Sequence, residues 1–332
     1  LHPRVRRQRQ MCIRDSTMMA AYYVNDVVAP LKTMLETDLA WSSTDFGFFT
    51  GGYSFLNVFF LMLIWGGLIL DRFGIRFTGK LATILMVGGT ALEYYAMTGL
   101  AGADATLFGI NEIFGYKTGV FVAFAGYSIF GVGAEVAGIT VSKIIAKWFK
   151  GKELATAMGV QVALARIGSQ AGYAVAIPLA RAFGISTPVL LGLVLLLGGM
   201  IAFFIFAVMD KKLDKQMEAA AIAAGTEDEE EKFSFKDVKN ILVNPGFWLI
   251  ALLCVLFYSC VFPFQKFASE LMIIKYGINE NVAGTFAGLP ALGALILTPV
   301  FGGFIDKRGK SASIMLLGSA MLICVHLSLI HI

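Results

Sequence analysis

Two charged residues of opposite sign, Glu135 and Arg166, each lie deep inside a long apolar segment of the chain. The segments run from about 117 to 146 and from about 154 to 182, and only a short basic stretch separates them. In an antiparallel helical hairpin both side chains would lie roughly 18–20 Å from the turn, because a helix rises about 1.5 Å per residue. Charges at such a depth usually face a cavity or a partner. The pair can bind the two ends of a zwitterion, or it can be a structural ion pair that holds two helices in register.

The composition places these helices in a membrane. The chain is 57% hydrophobic and 15% charged, with a mean hydropathy of +0.74. A soluble domain of 332 residues cannot cover so much apolar surface, so we predict an all-α integral membrane protein. The sequence has no phosphate loop, nucleotide-binding fingerprint or metal-ligand spacing. We therefore expect no enzyme activity, cofactor, metal or nucleic-acid partner, and we expect membrane lipid and a small-molecule substrate as partners.

The two ends of the chain differ from the rest. Residues 1–16 carry five arginines against one aspartate, a net charge of +4, which equals the net charge of the whole chain. Residues 11–16 and 328–332 resemble translated sequencing-adapter sequence, so we treat 1–16 and 328–332 as artefacts and exclude them from fold reasoning. The alternative for the first segment is a basic arm that binds anionic lipid.

Nine apolar stretches predict nine helices or parts of helices. Lys and Arg follow the second, fourth and eighth stretches, so even-numbered helices are expected to end in the cytoplasm. The only long polar stretch, 210–245, is interpreted as a cytoplasmic linker between a first bundle (17–209) and a partial second bundle (246–327). The stretches are 17–35, 45–70, 80–100, 117–146, 154–182, 187–209, 246–274, 281–304 and 312–327.

A short motif, G-x-x-x-D-[RK]-x-G, occurs twice, each time after the second helix of a bundle. Its glycines permit a tight turn, and its aspartate can accept hydrogen bonds at the N-terminus of a neighbouring helix. Its basic residues can pair with other helices, so we interpret the motif as a gate at the cytoplasmic face; the alternative is that these charges only set the topology. The first copy contains Gly67, Asp71, Arg72 and Gly74, followed by Arg76, and the second contains Gly302, Asp306, Lys307 and Gly309.

This repeated motif resembles the signature of the major facilitator superfamily, and the chain is identified as a member from residue 17 to about 327. It departs from the pattern at Ile75, where the first copy often has a basic residue. The resemblance implies two six-helix bundles that expose a central site alternately to the two sides. The chain would then contain helices 1–6, with helix 1 truncated, and helices 7–9. We expect such a fragment not to transport by itself.

Three further segments follow the order and spacing of one branch of the superfamily, typified by a lysosomal dipeptide uniporter. They are Gly131–Glu135, Trp148–Leu154 and Ala165–Ser169. The resemblance implies that Glu135 binds the ammonium of a short peptide and Arg166 its carboxylate, and that the two pair when the site is empty. Weaker candidates for the cavity wall are Tyr127, Asn25, Asp26, Tyr258 and Gln265, of which the aromatic residues are more often packing residues.

Several features stay open at this level. The rival substrate is an organic anion or drug-like solute moved with a proton, because Arg166 alone would suit an anion. A non-transporting membrane sensor or scaffold is the alternative of a different class. The source suggested by the two ends favours a bacterial inner membrane, whereas coupling, transport direction, oligomeric state and accessory subunits cannot be deduced from the sequence.

Overall fold

The computed structural model describes residues 16–102, 106–107, 109–149, 154–224, 242–308 and 311–331 of the chain. These residues form helices with one short β-hairpin. Residues 16–27 form α1, and a 3₁₀ turn, Ala29–Leu31, connects it to α2. The remaining helices are α2 (Lys32–Asp38), α3 (Ser43–Phe59), α4 (Met62–Thr98), α5 (Thr118–Phe149), α6 (Leu154–Phe183), α7 (Thr187–Ala224), α8 (Pro245–Tyr276), α9 (Glu280–Ala287), α10 (Leu289–Arg308) and α11 (Ser311–His331).

The second and third predicted helices are joined without a loop. α4 is two helices joined at Gly74, whose backbone (φ 75°, ψ 172°) is not helical. Before that break α4 runs parallel to α5, since Gly66 lies against Val136 and the later residue Asp71 accepts a hydrogen bond from the later residue Lys143. After it the chain runs antiparallel to α5, since Gly89 lies against Phe130 and the later residue Leu100 lies against the earlier residue Gly119. Gly74 therefore reverses the chain, and the predicted stretches 45–70 and 80–100 form separate spans.

The second predicted helix is also bent. α3 begins at a capping box, in which Ser42 and Asp45 exchange hydrogen bonds, as expected for a helix N-terminus. Leu61 then adopts a left-handed conformation (φ 50°), and α3 and α4 meet at an angle of 58°. The predicted stretch 45–70 therefore consists of α3 and the first part of α4.

One element was not predicted. Strands β1 (Glu112–Ile113) and β2 (Tyr116–Lys117) pair antiparallel between α4 and α5. Phe114 and Gly115 connect them with positive φ angles of 53° and 80°, the conformation of a tight hairpin turn whose twist matches that of the strands. Two paired residues per strand are too few to give an alternating pattern in the sequence.

The boundary between the two predicted bundles differs from the expectation. α7 continues to Ala224, past the predicted helix end at 209, because the segment after Asp210 is rich in Lys and Ala, which favour helix. Residues 225–241 of the predicted linker, and residues 1–15, lie outside the described part of the chain. Residues 328–331 continue α11.

The helices suit a membrane. Within the described ranges, four helices are long and apolar enough to cross one, and α3 and α4 together meet the same criterion. α6 packs on α1 so closely that a Cβ at Gly168 would lie 2.2 Å from the carbonyl oxygen of Met19. We refer to α1–α7 as the first helical group and to α8–α11 as the second. The protein is a multi-pass membrane protein.

Candidate functional site

A cavity of about 520 Å³ lies between the two helical groups. α1, α3 and α5 of the first group and α8 of the second form its walls. Two lining residues carry a charge, Glu135 from the first group and Lys266 from the second. The other lining residues are small, polar or aromatic: Met18, Ala21, Tyr22, Asn25, Gly47, Thr50, Gly51, Tyr53, Ser54, Ala134, Gly138, Phe262, Pro263 and Phe267.

Glu135 is a half-buried residue of the cavity wall on α5. Its Oε1 accepts a hydrogen bond of 2.8 Å from the hydroxyl of Tyr53 on α3. The ring of Tyr53 is held by the rings of Tyr127 and Phe130, with centroid distances of 5.6 and 6.1 Å. The carboxylate is therefore oriented by a side chain that is itself fixed by packing.

Arg166 is half-buried on α6 but does not belong to the cavity wall. It interacts electrostatically with Tyr22, a lining residue that also interacts with Glu135. Within the described residues no ion pair within 4 Å joins Glu135 to Arg166, so the pairing expected for an empty site is absent. Glu135 instead has the Tyr53 hydroxyl as its hydrogen-bond donor.

The α1 candidates, Asn25 and Asp26, are joined to each other and to Tyr127. The Asn25 amide donates to Asp26 Oδ1 at 2.8 Å, and the Tyr127 hydroxyl donates to the carbonyl oxygen of Asn25 at 2.7 Å. Asn25 lines the cavity, whereas Tyr127 is fully buried. Eight residues rotate a helix about 80° past two full turns, so Tyr127 and Glu135 do not point in the same direction. Tyr127 therefore lies behind the cavity wall, and its hydrogen bond to Asn25 holds α1 in place.

The two α8 candidates do not line the cavity. Tyr258 is 48% exposed and stacks on Phe262 at 4.9 Å. Gln265 is half-buried, and its carbonyl oxygen accepts a hydrogen bond of 3.1 Å from the Tyr173 hydroxyl of the first group. The α8 face that meets the cavity consists of Phe262, Lys266 and their neighbours.

Sequence reasoning missed two ionisable residues next to this site. The Lys266 ammonium donates to the Asn25 carbonyl at 2.6 Å and to the Tyr127 hydroxyl at 3.1 Å. Glu93 on α4 is fully buried, and neither of its carboxyl oxygens has a hydrogen-bond partner among the described residues. Both lie inside predicted apolar stretches, so the criterion that selected Glu135 and Arg166 would have found them.

The first copy of the repeated motif joins three helices at one end of the first group, which we call the latch end. Asp71 on α4 accepts from Lys143 on α5 at 2.8 Å. Arg76 and Lys147 each lie 3.4 Å from a carboxylate oxygen of Asp210, which is completely buried at the end of the apolar part of α7. These ion pairs fix the latch ends of α4, α5 and α7 to one another.

The other motif residues are placed as follows. A Cβ added at Gly67 would meet only open space, and the Arg72 guanidinium lies over the Phe73 ring at 5.7 Å. In the second copy, Gly302, Asp306 and Lys307 belong to α10, whereas Gly309 lies outside the described residues.

The opposite end of the molecule, which we call the closed end, joins the two helical groups. The Lys32 ammonium, on a side chain that is 2% exposed, contacts Glu270 of α8 and lies 2.7 Å from Glu36. It also donates to the Ser43 hydroxyl at 2.8 Å. The hydrogen bond from Lys32 holds the pKa of the Glu36 carboxyl below its usual value.

A second contact at the closed end is formed by Arg181 of α6. Its guanidinium contacts the Glu280 carboxylate and donates to the Asn281 side chain at 2.8 Å. The described polar contacts between the two helical groups lie between the level of Tyr127 and this end. The groups are thus joined on one side of the cavity.

These features define a membrane protein with two helical groups around a central charged cavity. The family model described as Major Facilitator Superfamily matches residues 16–331. The chain belongs to this superfamily, which confirms the expectation from the repeated motif.

Relatives and solved structures agree with this membership. The chain is 27% identical over 323 residues to the lysosomal dipeptide transporter MFSD1 of Homo sapiens, which covers 93% of the chain and 63% of that protein. It is 32% identical over 199 residues to the Gallus gallus protein of the same name, covering 56% of the chain and 43% of that protein. A crystal structure of a D-xylose-proton symporter superposes with a TM-score of 0.57 at 16% identity, covering 90% of this chain and 68% of that one. The chain thus has the superfamily fold and spans less than two thirds of the MFSD1 relatives.

Proposed function

We propose that this protein is a carrier that moves dipeptides across the membrane by alternating access. The observation that carries the proposal is the cavity of about 520 Å³ between the helical groups, to which one group contributes an acid and the other a base. Small-molecule sites typically measure roughly 300–1,000 Å³. A dipeptide is a small zwitterion that fits such a site. The dipeptide transporters among the relatives support this substrate class.

In this proposal Glu135 binds the α-ammonium of the peptide. Its carboxylate faces the cavity and is held by Tyr53, so it needs little reorganisation to accept a second donor. Arg166 is proposed to bind the carboxylate, because its planar guanidinium can donate two parallel hydrogen bonds. Both Arg166 and Glu135 interact electrostatically with Tyr22, a residue of the cavity wall.

The contacts between the helical groups support a state closed at one end. Lys32 with Glu270, and Arg181 with Glu280, join the groups at the closed end. We infer that the solute enters and leaves at the latch end in this state, and that these pairs separate when the other side opens. The distribution of Lys and Arg supports placing the latch end in the cytoplasm, and we propose a bacterial inner membrane as the location.

The proposal is tested by uptake of a labelled cationic dipeptide into proteoliposomes that contain the full-length protein. We expect saturable uptake by the wild type and its loss in Glu135→Gln and Arg166→Ala. Lys117→Gln is the matched control, because Lys117 lies in strand β2 of the hairpin and is not one of the residues that line the cavity. No uptake by correctly folded wild type would refute the dipeptide assignment.

An organic-anion carrier is the second candidate, and a specific observation favours it. Arg166 and Lys266 place two cations at or near the cavity, which suits a solute with negative charge. If Glu135→Gln leaves the uptake of a labelled organic anion unchanged and the wild type ignores dipeptides, this candidate replaces the first. Uptake driven by an imposed proton gradient in the same vesicles decides whether transport is proton-coupled.

A further inference from the structure

Lys266 connects the two helical groups at the cavity. It belongs to α8 of the second group, and its ammonium donates to the Asn25 carbonyl of α1 and the Tyr127 hydroxyl of α5. The ammonium also lies over the Tyr127 ring, 5.6 Å from the centroid. Both oxygen acceptors are neutral, and an ammonium has three donors. One donor is therefore left for another ligand.

Lys266 forms an ion pair with Asp26, but the two charged groups are too far apart for a hydrogen bond. The nearest described carboxylate oxygen is Asp26 Oδ1 at 3.8 Å, too far for a hydrogen bond. That oxygen already accepts from the Asn25 amide at 2.8 Å. Glu93 also interacts electrostatically with Lys266 but forms no ion pair with it within 4 Å in the described part of the chain. The Lys266 side chain is only 16% exposed, and a buried charge without a hydrogen-bonded anion is unfavourable.

The position of Lys266 in the cavity wall matches what a zwitterion needs. Glu135 and Lys266 both line the cavity, and they come from different helical groups. Arg166, which the family resemblance suggests for the carboxylate, lies outside the cavity wall. A carboxylate that enters the cavity would give Lys266 the hydrogen-bonded anion that it lacks.

We propose that Lys266 contacts the substrate and binds the carboxylate of the transported peptide together with Arg166, while Glu135 binds its ammonium. This inference rests on the proposed function and adds a specificity-determining residue to the same site. The substrate then bridges the two helical groups, because its carboxylate is shared between Arg166 of the first group and Lys266 of the second. Lys266 makes the site selective for solutes with a free carboxylate.

The test compares a labelled lysyl-alanine dipeptide with its C-terminal amide in proteoliposomes that contain the full-length protein. For the wild type we expect the free acid to compete at least tenfold better than the amide. In Lys266→Gln this preference should fall below threefold. Lys275→Gln, the same change at an exposed position of α8, should keep the wild-type preference. An unchanged preference in folded Lys266→Gln would overturn the inference.

A second measurement uses the wild type alone and does not depend on whether a variant folds. An amine-reactive acylating reagent is applied to the reconstituted protein, and the modification of Lys266 is measured by mass spectrometry against Lys275 as the internal reference. The free dipeptide should slow the modification of Lys266 at least threefold, and the amide should not. Equal rates with both peptides in a protein that transports dipeptides would overturn the role of Lys266. Absence of wild-type uptake would instead refute the proposed function itself.

Discussion

Replacing Gly74 by alanine tests how the first motif copy reverses the chain. Gly74 has φ 75° and ψ 172°, a region that is essentially restricted to glycine. A Cβ at this position would meet no atom within 4 Å, so the expected effect is backbone strain alone. Such strain costs on the order of 1–3 kcal/mol. We therefore expect Gly74→Ala to be destabilised without any steric clash.

The assay is thermal unfolding of the purified protein in detergent. Since 1 kcal/mol shifts the Tm of a large domain by about 2–4 °C, Gly74→Ala should lower the Tm by several degrees. Gly88→Ala is the matched control on the same helix, because a Cβ there also meets nothing within 4 Å and its backbone is helical. Alanine favours helix over glycine by about 1 kcal/mol, so Gly88→Ala should be neutral or stabilising. If Gly74→Ala and Gly88→Ala have the same Tm, Gly74 does not adopt the positive-φ conformation that reverses the chain.

Three further predictions concern buried charges and the closed end. Glu93→Met removes a fully buried carboxyl group without hydrogen-bond partners, so it should raise stability by about 1–3 kcal/mol in thermal unfolding; a lower Tm would contradict this. Glu270→Gln removes the anionic partner of the buried Lys32, so the closed end should open more often. Spin labels at Asp38 and Tyr276, the ends of α2 and α8, should then be farther apart than in the wild type, as measured by double electron–electron resonance. An unchanged distance distribution would show that this pair does not hold the end closed. Because the pKa of Glu36 is lowered in the folded protein, its stabilising effect is present above the usual value of 4.5 and is lost as the pH falls through the lowered pKa. The Tm of wild type should therefore fall more steeply than that of Glu36→Gln between about pH 5 and pH 3; equal slopes would argue against it.

The helical fold was largely predictable. Apolar stretches of membrane-spanning length identified the spans, because a bilayer requires about 20 apolar residues per helix. The repeated motif identified the superfamily, and the match over residues 16–331 confirms it. The hairpin between β1 and β2 and the continuation of α7 to Ala224 were missed, since short local structures leave weak patterns in the sequence.

The site was predictable only in part. Glu135 lines the cavity, whereas Tyr127 lies behind it and Tyr258 lies outside it. Sequence spacing gives a helical face, but it cannot tell which face meets the cavity. Lys266 was missed although its charge lies within an apolar stretch.

The sequence by itself determined the class of protein, the spans and the presence of charges at membrane depth, because the hydrophobic effect acts on local composition. Only the tertiary structure decided which charges meet. It paired Glu135 with Tyr53, and it placed Lys266 of α8 against Asn25 of α1, 241 residues away in the chain. Such contacts depend on how helices distant in sequence pack and rotate against one another. No local pattern encodes that arrangement, and it is this packing that brings an acid and a base to one cavity.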